Sequence, residues 1–231
     1  MKRSALLFTA AAMTIVISIS GCSKSEQTNA ASDRPPTVGT GGAGANLSDD
    51  EFVRDVALKH MAAVELGRLG LQKAMGQDVK AFAQRVVDEQ GAASTALKTA
   101  ASGHAADWPG QLDEKHRKPL DELTDTNGAD FDRDYVKAMI DIHQNLAAKL
   151  ESRLDVQSLA DWKTAAAGRS DSKALPEPST AMRDVNVRPN QSDNASTMKI
   201  NQWAAATYPV AQKHLDMARA LEAAAKKRST N

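Results

Sequence analysis

The chain holds a single cysteine, Cys22, among 231 residues, so no intrachain disulfide can form. Aromatic residues make up only 4% of it. Ala, Leu, Lys, Glu and Gln fill the periodic stretches instead, which favours helix over sheet. Neither sign of charge is in excess, with 29 basic and 29 acidic residues. That balance gives no electrostatic reason to bind nucleic acid, which is not an expected partner. Internal repeats, a glycine-rich phosphate loop and a nucleophile motif are also missing. What is present is 42% hydrophobic and 25% charged residues, enough for one domain with a real core.

The N-terminus reads as a targeting segment. Lys2 and Arg3 are followed by an apolar run from Ala5 to Ser20, too short to span a bilayer comfortably. Ile19-Ser20-Gly21-Cys22 then has the form of a bacterial lipobox, in which the cysteine is lipidated and becomes the mature N-terminus. The alternative is an ordinary signal peptide or membrane anchor. Residues 1–21 are the expected signal peptide and Cys22 the lipidation site. Removing that segment takes away Lys2 and Arg3 and no acid, leaving 27 basic against 29 acidic residues. Ser23 after the cysteine, rather than Asp, fits lipoproteins sent on to the outer membrane. The expected address is the bacterial cell envelope, lipid-anchored and facing the periplasm. The expected partners are the membrane, through the lipid, and a protein of that compartment.

Residues 22–46 are Ser, Thr, Ala, Asn, Gly and Pro with few large apolar side chains, and read as a flexible tether. A helical domain follows over 47–228. Ser48-Asp49-Asp50-Glu51 is a capping box, flanked by Leu47 and Phe52 as a hydrophobic staple, so a first helix should start near Asp49. Its inward arc holds Val53, Val56, Ala57, His60, Ala63, Val64, Gly67, Leu71 and Ala74, while Glu65 points away. Gly76 should end it. A second helix from about Asp78 carries Val79, Phe82, Ala83, Val86, Gln90, Ala93, Leu97 and Ala100 at the same spacing, antiparallel to the first. A short extra helix is expected around Leu112 to Leu123, and His104 and His116 fall in loop or exposed helix. Asp130 should cap a central helix whose stripe is Tyr135, Val136, Met139, Ile142, Leu146, Leu150 and Leu154. Residues 168–197 are polar and aperiodic, and read as a disordered insertion. The last helix should resume near Met198, with Trp203, Ala206, Val210, His214, Met217, Leu221 and Ala224 inward. Pro209 should bend it.

Four long amphipathic helices predict an all-α fold, an up-down-up-down bundle of four helices with the short extra helix between the second and the central one. Residue counts then place the inward polar residues by height. Gln90, His143 and His214 fall at one level, with Ala63 level on the first helix. Glu89 stands at the rim and His60 about one turn lower. A histidine on a buried stripe must find a partner or stay neutral. The layer has two readings. One is a hydrogen-bonded polar layer that fixes helix register. The other is a divalent transition-metal site built on His143, His214 and Gln90, with His60 and Glu89 as additions. No Glu-x-x-His pair lies on an inward stripe, which argues against a di-iron centre.

The segments FV (52–53), ELGRLGLQKA (65–74), VKAFAQRVVDEQ (79–90), FDRDYVKAMIDIH (131–143) and YPVAQKHLDMARAL (208–221) together resemble the bacterial domain of unknown function 4142. Its members are often labelled outer membrane proteins and have a ferritin-like bundle. The resemblance implies that fold and an envelope address, and no activity. It also implies a glutamate where this chain has Ala63 and a histidine where it has Gln90, with two further histidines matched by His143 and His214. Two imidazoles without a carboxylate make a weaker site than that pattern. The expected function is therefore a non-enzymatic structural or interaction module tethered to the envelope. The alternative is a ferritin-like metal-binding protein with a storage or redox role.

Overall fold

The computed structural model describes residues 48–102, 108–167 and 186–229. The expected signal peptide, Cys22, the tether, Leu47, His104 and residues 168–185 lie outside the described residues. Those described form six helices: α1 (Asp49–Lys73), α2 (Gln77–Ala100), α3 (Glu114–Thr124), α4 (Gly128–Glu151), α5 (Val156–Ala167) and α6 (Ala195–Ser229). The fold is all-α. None of these helices is long and apolar enough to cross a membrane.

Local chemistry sets the helix ends. Ser48 Oγ accepts from the Glu51 amide while Glu51 Oε2 accepts from the Ser48 amide, the reciprocal pair of a capping box. Asp113 Oδ1 accepts from the His116 amide at the start of α3. Asn194 Oδ1 accepts from the amides of Ser196 and Thr197 at the start of α6. The expected cap at Asp130 is corrected. α4 begins two residues earlier, at Gly128 with φ +65°, and Asp130 sits in its first turn beside Arg133.

Contacts along the helices fix their directions. Asp49 pairs with Arg153 and Asp55 with Lys149, while Asp132 accepts from the amides of Met75 and Gly76, so α4 runs antiparallel to α1. Trp203 Nε1 donates to the Ala93 carbonyl and Arg228 pairs with Asp78, so α6 runs antiparallel to α2. The three-residue connection between α1 and α2 makes those two antiparallel as well. The order of the long helices is therefore up, down, down, up, which corrects the expected up-down-up-down sequence. Because α2 and α4 run the same way, the chain must return along the bundle between them, and α3 lies on that crossover against α1 and α4.

The observed stripes are shifted relative to two of the expected ones. On α1, Phe52, Ala62, Leu66 and Gly70 are buried, whereas Val64 and Leu71 are half-buried. α3 covers a flank of α1 that a two-neighbour helix would leave wet. On α6, Ile200, Ala204, Tyr208, Ala211, Leu215 and Ala218 are buried, while Ala206 is exposed. The helix is continuous through Pro209. Gly70 permits a close approach, since a Cβ there would lie 2.7 Å from the Tyr135 ring.

A separate helix, α5, follows Leu154, started by Asp155, whose Oδ1 accepts from the Ser158 amide. The far end of the expected disordered insertion is also corrected. Val187 is buried in the core, and Leu154 and Pro189 form an antiparallel bridge. The Asn190 amide donates to the Arg153 carbonyl, and the Asn201 side chain donates to the Asn190 carbonyl. Residues 186–190 are short of large apolar side chains, so their anchoring rests on backbone pairing that leaves no periodic trace.

The core forms two clusters. One contains Phe52, Val56, Leu97, Leu146, Leu150, Trp162, Ile200, Trp203 and Tyr208. The other contains Leu66, Phe82, Val86, Phe131, Tyr135, Met139 and Leu221. On every long helix, the polar residue of interest lies between the two: His60 on α1, Gln90 on α2, His143 on α4 and His214 on α6.

Candidate functional site

Four helices each contribute one buried polar side chain to this layer, and His60, Gln90, His143 and His214 are at most 1% exposed. The Gln90 amide nitrogen lies 3.2 Å from Nε2 of His143 and 3.1 Å from Nδ1 of His214. The two rings meet edge to face with centroids 5.0 Å apart. Phe82 packs against both, at 6.4 and 6.3 Å, and closes the layer from the α2 side.

The proton positions follow from the outer partners. His143 Nδ1 is 2.7 Å from the Met139 carbonyl, which can only accept, so Nδ1 carries the hydrogen and Nε2 the lone pair. His214 Nε2 is 2.8 Å from Glu89 Oε2, so Nε2 donates and Nδ1 carries the lone pair. Two lone pairs therefore face the Gln90 nitrogen, and its NH₂ group has two hydrogens to give. The opposite amide orientation would set its oxygen against both lone pairs.

Burial pushes His143 down to about 3, helped by the charge His214 would carry and opposed by the Met139 carbonyl. Burial also pushes His60 down to about 4, with the Gln90 amide opposing and the His214 charge adding. The hydrogen bond from His214 holds the Glu89 carboxyl below its ordinary value, against a desolvation that raises it. His60 packs edge-on to Trp203 at 5.5 Å, and neither of its ring nitrogens has a hydrogen-bond partner. Oε1 of Gln90 is likewise unsatisfied. One N–H of His60 and that oxygen are chemically complementary, a donor and an acceptor.

The sequence-predicted residues are thus brought together: Gln90, His143 and His214 in direct contact, Glu89 on the rim, and His60 adjoining. Ala63 is fully buried in the neighbouring apolar cluster. Glu65 faces outward, paired with Arg68. As it stands, the layer does not fit a metal ion. The two lone pairs that converge are both taken by Gln90, and the one nearby carboxylate is bound to the far nitrogen of His214. Among the described residues, no group of three or more His, Cys, Asp or Glu side chains is arranged to hold a metal.

A second polar cluster was not anticipated. The His116 side chain is only 10% exposed and lies between Asp113 and Asp55, which corrects its expected place on an exposed surface. Lys59, also buried, and Lys149 pair with the same Asp55. The signal available in the sequence was the Asp113-x-x-His116 spacing at a helix start, although its contact with Asp55 depends on where α3 docks. A crevice of about 480 Å³ runs beside this cluster between α1, α3 and α4. None of the polar-layer residues lines it.

The fold and layer now stand beside what comparison shows. The family model for the domain of unknown function 4142 matches residues 35–171, more than half of the chain, and the chain belongs to that family. The match takes in the helices that carry His60, Gln90 and His143, and ends before α6 with His214. Comparison with curated proteins and with solved structures gives no match.

Proposed function

We propose that this chain is a lipid-tethered module of a bacterial cell envelope with a non-enzymatic, structural or interaction role, its domain a ferritin-like bundle of four long helices. The up-down-down-up order with one long crossover supports the ferritin-like reading. The lipobox ending at Cys22 supports the tether, with the outer membrane facing the periplasm as its address. The observation that carries the non-enzymatic reading is the double donation of Gln90 to His143 and His214. It occupies the inward-facing lone pairs of both imidazoles and keeps them shut away from solvent. A polar layer of this kind sets which residues face each other between two otherwise apolar clusters.

The test has two arms. Metabolic labelling with a radioactive fatty acid should mark the wild-type protein and not Cys22→Ser; equal labelling of both would remove the tether. Titration of the purified protein with zinc should give no binding tighter than about millimolar.

A second reading, a ferritin-like metal-binding protein, rests on one observation, the convergence of two imidazole lone pairs on the Gln90 nitrogen. On that reading Ala63→Glu with Gln90→His completes the donor set. Zinc affinity should then rise at least about tenfold, or 1.4 kcal/mol. A folded double variant that binds no better than the parent removes it.

A further inference from the structure

His116 occupies a position that neither neutral form of the ring can satisfy. Its Nδ1 is 2.7 Å from Asp113 Oδ1. Its Nε2 faces Asp55 Oδ1 at 3.9 Å, is buried and has no hydrogen-bond partner. A neutral imidazole has one N–H and one lone pair, so one of the two carboxylates always meets a lone pair. The imidazolium has a donor for each.

The two carboxylates belong to different parts of the fold. Asp113 caps α3, whereas Asp55 is on α1. Little else holds α3: Leu123 is its one buried residue, Leu120 is half-buried against the core, and its Thr124 carbonyl accepts from Lys73. A single polar contact therefore weighs heavily in whether α3 stays down. The remaining charges around the ring are accounted for. From α1, Lys59 reaches Asp55 Oδ1 at 3.2 Å, and from α4, Lys149 reaches Oδ2 at 3.0 Å. Lys115 and Glu122 on α3, and Asp134, Lys137 and Asp141 on α4, stand farther along the crevice. Lys59 lines that crevice as well as pairing with Asp55. It can give up its share of Oδ1 and turn its ammonium toward solvent.

We propose that protonation of His116 clasps α3 onto α1: the imidazolium bridges Asp113 and Asp55, displaces Lys59 into the crevice, and tightens the wall that α3 forms over it. The device is a proton-operated latch on one short helix, separate from the buried layer.

Amide hydrogen exchange on the full chain tests this, read as protection factors for the α3 amides between pH 8 and pH 5. The His116 ring is followed by NMR over the same range. Protection of α3 should rise roughly tenfold as pH falls, with a midpoint that tracks the His116 ring. His60 and His143 are held down to about 4 and about 3, below the range scanned. His116→Asn and Asp55→Asn should each abolish the rise, with helix content checked by circular dichroism. Flat α3 protection in the wild-type protein while the His116 ring titrates overturns the proposal. So does an unchanged rise in folded His116→Asn.

Discussion

His214, fully buried, donates its Nε2–H across 2.8 Å to the half-exposed carboxylate of Glu89. That bond reaches from the rim into the interior and dictates the tautomer of His214. The tautomer in turn dictates which end of the Gln90 amide faces the rings. A surface carboxylate thus sets the polarity of a buried network two bonds away.

Gln90→Leu keeps most of the volume and removes both donors. Two buried acceptors are then left unpaired, at about 1–3 kcal/mol each. Urea denaturation should show a loss of roughly 2–5 kcal/mol. Glu89→Gln still offers His214 a carbonyl oxygen and should lose about 1 kcal/mol. If Gln90→Leu is as stable as the parent, the layer contributes nothing to stability by its hydrogen bonds.

Acid should weaken the fold before the carboxylates titrate. His60 and His143 bind a proton less readily folded, at about 4 and about 3, than unfolded, at 6.5. Above 6.5 both states are neutral and neither histidine penalises folding. Below 6.5 the unfolded chain gains protons that the folded one refuses, so stability falls steadily toward pH 4. Glu89, depressed by its bond from His214, adds a loss in the same direction at the acid end. Melting temperature measured from pH 8 to pH 4 should decline, and His143→Leu should flatten the slope while lowering the plateau. The His116 latch has the opposite sign and is confined to α3, so the global melt and the local exchange should diverge.

Gly70→Ala would put a methyl carbon 2.7 Å from Cζ of Tyr135, with Cε2 and the hydroxyl oxygen of the same ring within 2.9 Å. The ring lies stacked against Phe131 and edge-on to Phe82, so it has little room to retreat. The expected loss is about 1–3 kcal/mol, despite alanine's better helix propensity. An increase in melting temperature would show that Tyr135 moves freely.

Val187 tests the segment before α6. It is 6% exposed within the cluster that holds Trp162, Ile200 and Leu154. Val187→Asp buries an unpaired charge there and should cost at least about 2 kcal/mol, visible as a drop in the urea midpoint. No change would mean the segment can lift off without disturbing the bundle.

Helix spacing alone was enough to identify α1, α2 and α4, because stripes such as Val79-Phe82-Val86-Gln90 and Met139-His143-Leu146-Leu150 are dictated by 3.6 residues per turn. The capping box at Ser48 is equally local. Counting along such rods also put Gln90, His143 and His214 at one height. Helix direction was another matter. Nothing within α4 says whether it runs with α2 or against it; that is set by distant pairs such as Asp55–Lys149 and Asp132 with the Gly76 amide. The same crossover lays α3 over Lys59 and brings His116 to Asp55, contacts between residues about sixty apart for which periodicity has no signal. Val187 and Pro189 are held by a bridge to Leu154, and α6 turns its Tyr208 face inward because of what α4 and α5 present to it. Tautomers, too, belong to the tertiary structure: the residues of the layer are written in the sequence, but which nitrogen carries the hydrogen depends on Met139 and Glu89 standing at hydrogen-bonding distance.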